Sequence, residues 1–342
     1  MVQRGILDLS YQSFQMYLES IGEKSFRAQQ VFDWIYKKYI FDFDQMKNLS
    51  SELRHQLKKD LFFPTMECVQ ETQDNSNTIK FLFRLSDGQK IEAVLIQAAA
   101  SRLTVCVSSQ AGCKFACKFC ASGIGGWRRN LSCGEIVMQV LQIQAMISGN
   151  VTNVVFMGTG EPFDNWEAVR DAIQAINSQK GLNIAARRIT ISTCGIVPML
   201  KEFSAIGLQV NLAISLHGYT DKIRQQLMPI NKMYPLSDLI AACHECVEQT
   251  KRTITFEYIL IEGLTCCDEA PQALAHLLKG LKCKLNLIPY NVVQEFEWKA
   301  PSRNAIYRFH DDLIEHKVHA TIRWSKGQGA EGACGQLRHS AK

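Results

Sequence analysis

The sequence predicts an α/β fold, with parallel strand–helix units following a small helical region and a short β extension. Three patterns predict it: an amphipathic N-terminal stretch, two alternating runs flanking a turn signal, and six further β-like runs separated by helical ones. In chain order, residues 1–62 read as helices. FRAQQVFDWIYKKY (26–39) puts Phe26, Val31, Trp34, Ile35 and Tyr39 near one face, and SSELRHQLKKDL (50–61) adds a polar, basic surface. From about 66 to 97 the period shortens to that of strands, in TIKFLFRL (78–85) and KIEAVLIQ (90–97), with Asp87-Gly88 as the turn between them. QAAAS (97–101) has no pattern and reads as a linker.

Beyond it, strands are predicted at 102–109, 153–158, 188–193, 209–216, 255–261 and 284–290, with helices near 132–148, 165–178, 198–206, 236–249 and 268–281. The first of these helices opens with a capping box, Ser132 followed three residues on by Glu135. Alternation at these spacings implies βαβ units, which build either an open doubly wound sheet or a full or partial barrel. Periodicity does not choose between them. In either case the functional groups belong at the C-terminal ends of the strands. The predicted domains are 1–65, 66–100 and 101–342.

Composition bounds the function. With 342 residues, 46% hydrophobic and 21% charged, the chain can bury a sizeable core, which excludes general disorder. No apolar run approaches the roughly 18 residues of a membrane span. The opening segment MVQRGILDLSYQSF carries Arg4 and Asp8 and no apolar signal core, so a cytoplasmic protein is expected. The 13 cysteines are an odd number, and a cytoplasmic chain of this size needs no disulfide scaffold. Some thiols are therefore expected to be metal ligands or catalysts.

Cys113-Lys-Phe-Ala-Cys117-Lys-Phe-Cys120 is a C-x3-C-x2-C triplet in the loop after the first strand of the series. Three thiolates so close in sequence suit zinc or an iron–sulfur cluster. A closed zinc site takes four ligands, whereas three on a four-iron cluster leave one iron open. MGTGEP (157–162) follows the second strand; its glycines let backbone approach a ligand, and Glu161 can pair with an ammonium group. STCG (192–195), SLH (215–217) and PYN (289–291) bring Ser192, Ser215, His217 and Asn291 to three further strand ends.

A C-x3-C-x2-C triplet with an aromatic before its last cysteine, placed at such a strand end, resembles the radical S-adenosylmethionine (radical SAM) signature. The wider series resembles the RlmN family: CVSSQAGC (106–113), MGTGEP, STCG, SLH, MPINK (228–232), LIPYN (287–291) and ACGQL (333–337) match in order. Members are dual-specificity radical SAM methyltransferases acting on C2 of adenine in 23S ribosomal RNA and in tRNA. The likeness runs to residue 337, and Thr159 and Cys194 stand where the family pattern has Met and Ser.

The resemblance implies a radical SAM partial (β/α)6 barrel, a [4Fe-4S] cluster on Cys113, Cys117 and Cys120, and S-adenosyl-L-methionine held by Gly160, Glu161, Ser192, Ser215, Leu216, His217 and Asn291. It also implies three catalytic side chains. Cys334 is first methylated by one SAM; a radical from a second takes a hydrogen from that methyl group, and the resulting carbon adds to adenine. Glu92 accepts the ring proton, and Cys106 attacks the sulfur, leaving a Cys106–Cys334 disulfide for later reduction. Without the resemblance, Glu92 reads as a solvent-facing strand residue, Cys106 as core, and Cys334 as a thiol in a segment with four glycines. Implied partners are 23S rRNA, tRNA and an external, flavodoxin-like electron donor; the implied oligomeric state is monomer.

Two alternatives remain at this stage. The related Cfr family methylates C8 and carries GEA where this chain has Gly160-Glu161-Pro162, which favours C2. A non-catalytic iron–sulfur or zinc RNA-binding protein is the other. The net charge of +5 is only mildly suggestive of RNA. Local basic pairs point more clearly: Lys37-Lys38, Lys58-Lys59, Arg187-Arg188, and Arg128-Arg129 beside Trp127 in the GIGGWRRN loop (123–130). Cys243-His-Glu-Cys246 imitates a metal knuckle but lies mid-helix without a partner pair.

Overall fold

A computed structural model describes residues 3–75, 77–98, 102–327, 329 and 331–337. The helical region comprises α1 (Tyr11–Ser20), α2 (Arg27–Tyr36) and α3 (Ser51–Asp60), and its two ends are clipped together by a parallel pair, β1 (Arg4–Gly5) and β2 (Leu61–Phe62). Ser10 and Ser50 accept backbone N–H groups at the starts of α1 and α3, satisfying donors the helix leaves unpaired. Phe14, Leu18, Val31, Phe32, Ile35, Leu53 and Leu57 form the buried stripe. Phe26 departs from the expected face: it precedes α2 and is exposed, with the Arg27 guanidinium over its ring.

The strands form one ten-stranded sheet. It starts with β3 (Met66–Gln73), β4 (Thr78–Leu85) and β5 (Lys90–Ala98), which run antiparallel onto β6 (Arg102–Cys106). Gln97 and Ala98, expected in a linker, pair with Leu103 and Arg102; residues 99–101 lie outside the described part. After β6, a short ladder joins β7 (Gln110–Ala111) to β8 (Arg129–Asn130). Then come α4 (Cys133–Met146), β9 (Asn153–Phe156), α5 (Trp166–Asn177), β10 (Ile189–Thr193), α6 (Val197–Ser204) and β11 (Asn211–Ser215). The series ends with α7 (Asp221–Leu227), α8 (Leu236–Thr250), β12 (Ile254–Leu260), α9 (Ala270–Leu277), β13 (Cys283–Pro289), α10 (Arg303–Glu315) and β14 (Ala320–Ile322).

Strand order settles what periodicity left open. The parallel strands follow one another in sequence, β6-β9-β10-β11-β12-β13-β14, with no reversal. Right-handed crossovers that always step the same way place every helix on one face, which is barrel winding and not the doubly wound kind. β14 and β3 are the sheet's two edges, so the barrel is partial. β14 is a seventh parallel strand, and α7 and α10 are likewise additional to the expected units. The first strand stops at Cys106, short of the expected 109, because the chain then leaves the ladder: Ser108 N–H goes to the Gln139 side chain and Ser109 N–H to Thr159 O.

Apolar residues of the outer sheet face, such as Val105, Val154, Ile191, Leu212, Phe256 and Leu285, form a single core with the helices. The concave face is polar. Thr190, Asn211, Thr255, Glu257, Asn286 and Arg323 line a lumen of about 670 Å³. The helical region docks on the outside of α4: Asp8 accepts the Gly134 N–H at 2.6 Å, and Ser132 and Glu135 form the expected capping box. Among the described residues no helix is long and apolar enough to cross a membrane.

Candidate active site

The cluster loop leaves the sheet after β6 and is held by tight packing. Gly112 has φ +77°, and a side chain there would strike Gly126 O at 1.9 Å. Gly123 sits against Ala116 Cα in the same way, with Ala116 itself left-handed at φ +49°. Lys118 N–H donates to Leu227 O, tying the loop to α7. Cys113, Cys117 and Cys120 all face one cavity of about 160 Å³ at the C-terminal ends of the strands. Burial pushes the Cys113 thiol up to about 12 and raises Cys117 and Cys120 as well, so a cationic centre is needed to hold them as thiolates.

The donor set suits a four-iron cluster: three thiols from one loop face one cavity, where each can serve a separate iron and leave a fourth iron open.

The rest of the cavity wall is assembled from the strand ends singled out in the sequence. Gly160, at φ +103°, presses against Gln110, where any side chain would meet Cβ at 2.5 Å. Glu161 is buried, which raises its pKa, and its two oxygens accept the N–H groups of Phe163 and Cys194 at 2.9 and 2.7 Å. Ser192, Ser215 and His217 line the same cavity. His217 is left-handed at φ +50° and packs edge-on against Phe119. Its Nδ1 accepts the Ile259 N–H at 3.0 Å, so the proton of the neutral ring is on Nε2. Burial lowers its pKa to about 3.

Leu216 and Asn291 are not on that wall. Leu216 is buried, and its carbonyl accepts from Arg224 Nε. Asn291 Nδ2 donates to Cys334 O at 2.9 Å, so here it holds the C-terminal loop.

A second cavity, about 200 Å³, adjoins the first. Cys106, Ile96, Met157, Ile288, Arg323 and Cys334 are among its lining residues, and Cys334 lies on the wall of both cavities. Burial pushes Cys106 up to about 12, and the neighbouring Cys334 adds to the shift. Glu92 lines neither cavity. It is 2% exposed on β5, two residues before Val94, the register partner of Cys106, and its Oε1 pairs with Lys80 Nζ at 3.0 Å.

Comparison with known proteins agrees with this architecture. Residues 5–62 match the Ribosomal RNA large subunit methyltransferase N-terminal domain, and residues 107–277 match the Radical SAM superfamily. A probable dual-specificity RNA methyltransferase RlmN from Geobacillus thermodenitrificans is 44% identical over 97% of this chain and 92% of its own length. Its counterpart from Staphylococcus saprophyticus is 43% identical over 98% and 93%. The chain belongs to the RlmN family. The crystal structure of a radical SAM methyltransferase from Sphaerobacter thermophilus, 41% identical, superposes with a TM-score of 0.94 over 98% of this chain and all of that one. The fold is thus that of a radical SAM methyltransferase, whose chemistry uses a [4Fe-4S] cluster and SAM.

Several residues of this RlmN-family site were not found by sequence reasoning. Arg224 is wholly buried and donates to the carbonyls of Cys194, Ser215, Leu216 and Tyr234 and to Asn231 Oδ1. It thereby joins two strand ends to the MPINK turn. Arg323 reaches both cavities and lies 3.7 Å from Glu257, a buried carboxyl on β12 that also lines the cluster cavity. Both arginines sit among ordinary helix or strand-end residues, with no motif to mark them. Among the basic pairs, Arg129 is taken up by Asp87 and Glu135, and Lys37 pairs with Asp33. Trp127 and Arg128 remain exposed on the loop beside the cluster residues.

Proposed function

We propose that this chain methylates C2 of an adenine in 23S rRNA and in tRNA, through a methyl-cysteine on Cys334. The printed description of its relatives, dual-specificity RNA methyltransferase, supports the reaction class. The observation that carries the residue assignment is the place of Cys334: it faces the cluster loop in one cavity and Cys106 in the other. A thiol in both cavities can receive a methyl group on one side and be attacked by a second thiol on the other.

When bound, the cluster and SAM supply a transferable methyl group and a carbon-centred radical. Cys113, Cys117 and Cys120 hold the cluster in this reading. Gly160 gives backbone access, while Glu161, Ser192, Ser215 and His217 surround SAM; Leu216 and Asn291 act from behind, through main chain and loop. Cys334 accepts the methyl group and then carries the carbon that joins the adenine. Glu92 takes the ring proton. Cys106 forms the S–S bond that frees the product, and an external thiol reductant restores the pair.

Residues 1–65 form the RNA-contacting module in this proposal, 66–100 the β extension and 101–342 the catalytic barrel. Trp127 and Arg128 are exposed on the loop that follows the cluster cysteines, and in this proposal they give an extruded base stacking and phosphate contacts. A flavodoxin-like donor supplies electrons to a monomer. The test is anaerobic reconstitution with SAM, reductant and a 23S rRNA fragment, followed by nucleoside analysis. The expected product is 2-methyladenosine, with S-methyl-Cys334 found by mass spectrometry of the purified protein. Exclusive 8-methyladenosine would move the chain to Cfr-type chemistry, and the absence of deoxyadenosine would refute the radical reading.

A further inference from the structure

Lys80 stands on β4 and matches no motif. By register, Leu82 is opposite Glu92 and Lys80 is opposite Val94, so Lys80 and Glu92 share one face of the sheet. Val94 in turn pairs with Cys106 and packs with Cys106 and Leu337. Lys80 Nζ lies 3.0 Å from Glu92 Oε1, the two side chains being 12% and 3% exposed. The same ammonium donates to Glu331 O at 3.4 Å, three residues before Cys334. The C-terminal segment is strapped to this part of the sheet at two further points. Lys326 Nζ donates to Gln97 O, and Gly327 lies so close to Thr78 that a side chain there would meet its methyl at 2.9 Å.

Burying both members of an ion pair costs desolvation that packing of apolar groups would avoid, so stability alone does not account for it. We propose that Lys80 is a positioning residue, holding Glu92 as a carboxylate and linking it to the loop that carries Cys334. This rests on the reading of Glu92 as the proton acceptor. In that step the proton leaves the adenine carbon bonded to the Cys334 methylene and goes to the Glu92 carboxylate. The C–H electron pair stays with the ring, the one unpaired electron left by radical addition passes to the external one-electron carrier of the proposed function, and Lys80 keeps its own proton throughout. Lys80 thus supplies charge and aim without entering the proton balance.

Among the described residues, the other charged or titratable groups facing this part of the sheet are Lys90 on β5, Arg84 on β4 with its partner Glu67 on β3, Arg102 and Cys106 on β6, Arg323 after β14, and Lys326, Glu331 and Cys334 in the C-terminal segment. Lys80 combines a contact of 3.0 Å to the carboxylate with a second bond to the loop.

The experiment compares K80M, K80R and E92Q as reconstituted holoenzymes on a 23S rRNA fragment. In K80M, S-methyl-Cys334 is expected at wild-type occupancy, which also shows that the variant folds and loads. At fixed pH on the acidic limb, product release falls about tenfold, the equivalent of a one-unit rise in the carboxyl's pKa. The RNA–protein adduct accumulates, and the acidic limb of the rate profile moves upward by about one pH unit or more, since loss of the cation favours the protonated carboxyl. K80R restores the wild-type limb. In the protein without RNA, infrared difference spectra show a protonated carboxyl band in K80M that is absent from K80M/E92Q. If E92Q is inactive while K80M keeps the wild-type limb, or if K80R is shifted as far as K80M, the role of Lys80 is overturned and that of Glu92 stands. Normal turnover by E92Q overturns the reading of Glu92 itself.

Discussion

Cys106 and Cys334 show how little a side chain's own surroundings reveal of its role. Cys106 is 6% exposed among Val94, Leu337 and Val155, the setting of an inert core thiol. Burial favours its protonated form, so the proposed attack on sulfur requires a change in that setting. In the proposed reading, replacing it with alanine should leave methylation of Cys334 intact and remove the resolving thiol. In C106A, a covalent RNA–protein adduct is expected on denaturing gels, and free methylated RNA at normal turnover would contradict the assignment. His217 gives a second test at this scale. Its folded pKa is about 3 against an ordinary 6.5, so between those values the unfolded chain binds a proton that the native state does not. Stability contributed by the neutral ring is complete above pH 6.5 and falls as pH drops, by about 1.4 kcal/mol at pH 5.5. Asparagine also tolerates the left-handed backbone there. H217N should therefore lose this part of the difference between urea midpoints at pH 7 and 5.5, and an identical difference in both proteins would exclude His217 as its source.

At the scale of elements, the cavity depends on loops that one buried cation draws together. Arg224 comes from α7, a helix of seven residues, yet its guanidinium satisfies carbonyls at the ends of β10 and β11. Gly218 is pressed so close to Arg224 that a side chain would meet its backbone at 2.6 Å. In R224M those buried carbonyls lose their donor, at a cost of about 3 kcal/mol or more. Thermal melting should show the loss, and SAM binding should weaken with it because Ser215 and His217 move; an unchanged melting temperature would contradict the hub. What sequence reasoning could and could not read follows from the same geometry. Strands β9 to β13 were legible because each is an apolar run bounded by turns, and the cluster loop because thiols at fixed spacing are rare. Arg224, Arg323 and Lys80 were not legible, because a cation inside a polar loop or on an alternating strand looks like one in solvent. β14 is three residues long, too short for any period to show. The choice of barrel over doubly wound sheet rested on strand order, which only the pairing reveals.

For the whole molecule, the decisive contact joins the helical region to the barrel. The cavity opens at the strand ends, whereas the helical region meets α4 through Asp8, so in the proposed reading RNA is held by one body and modified by another. The joint combines a shared apolar core with polar contacts: Asp8 accepts the Gly134 N–H at the start of α4, Leu7 and Pro64 crowd the same glycine, Cys133 lies against Leu7 O, and Lys180 reaches Gln29 and the Tyr11 ring. Burial raises the pKa of Asp8, and the Gly134 N–H that it caps opposes that shift. D8A should remove about 1 kcal/mol of docking energy, the usual value of such a cap. The barrel keeps its own core, so S-methyl-Cys334 should form at wild-type occupancy. RNA affinity should fall about fivefold, the equivalent of that energy, and proteolysis should become faster near residues 62–66, where the two bodies meet. Mass spectrometry of Cys334 beside RNA binding by filter retention separates the two effects. An equal loss of methyl-Cys334 would place the damage inside the barrel and leave the helical region without a separate role in holding RNA.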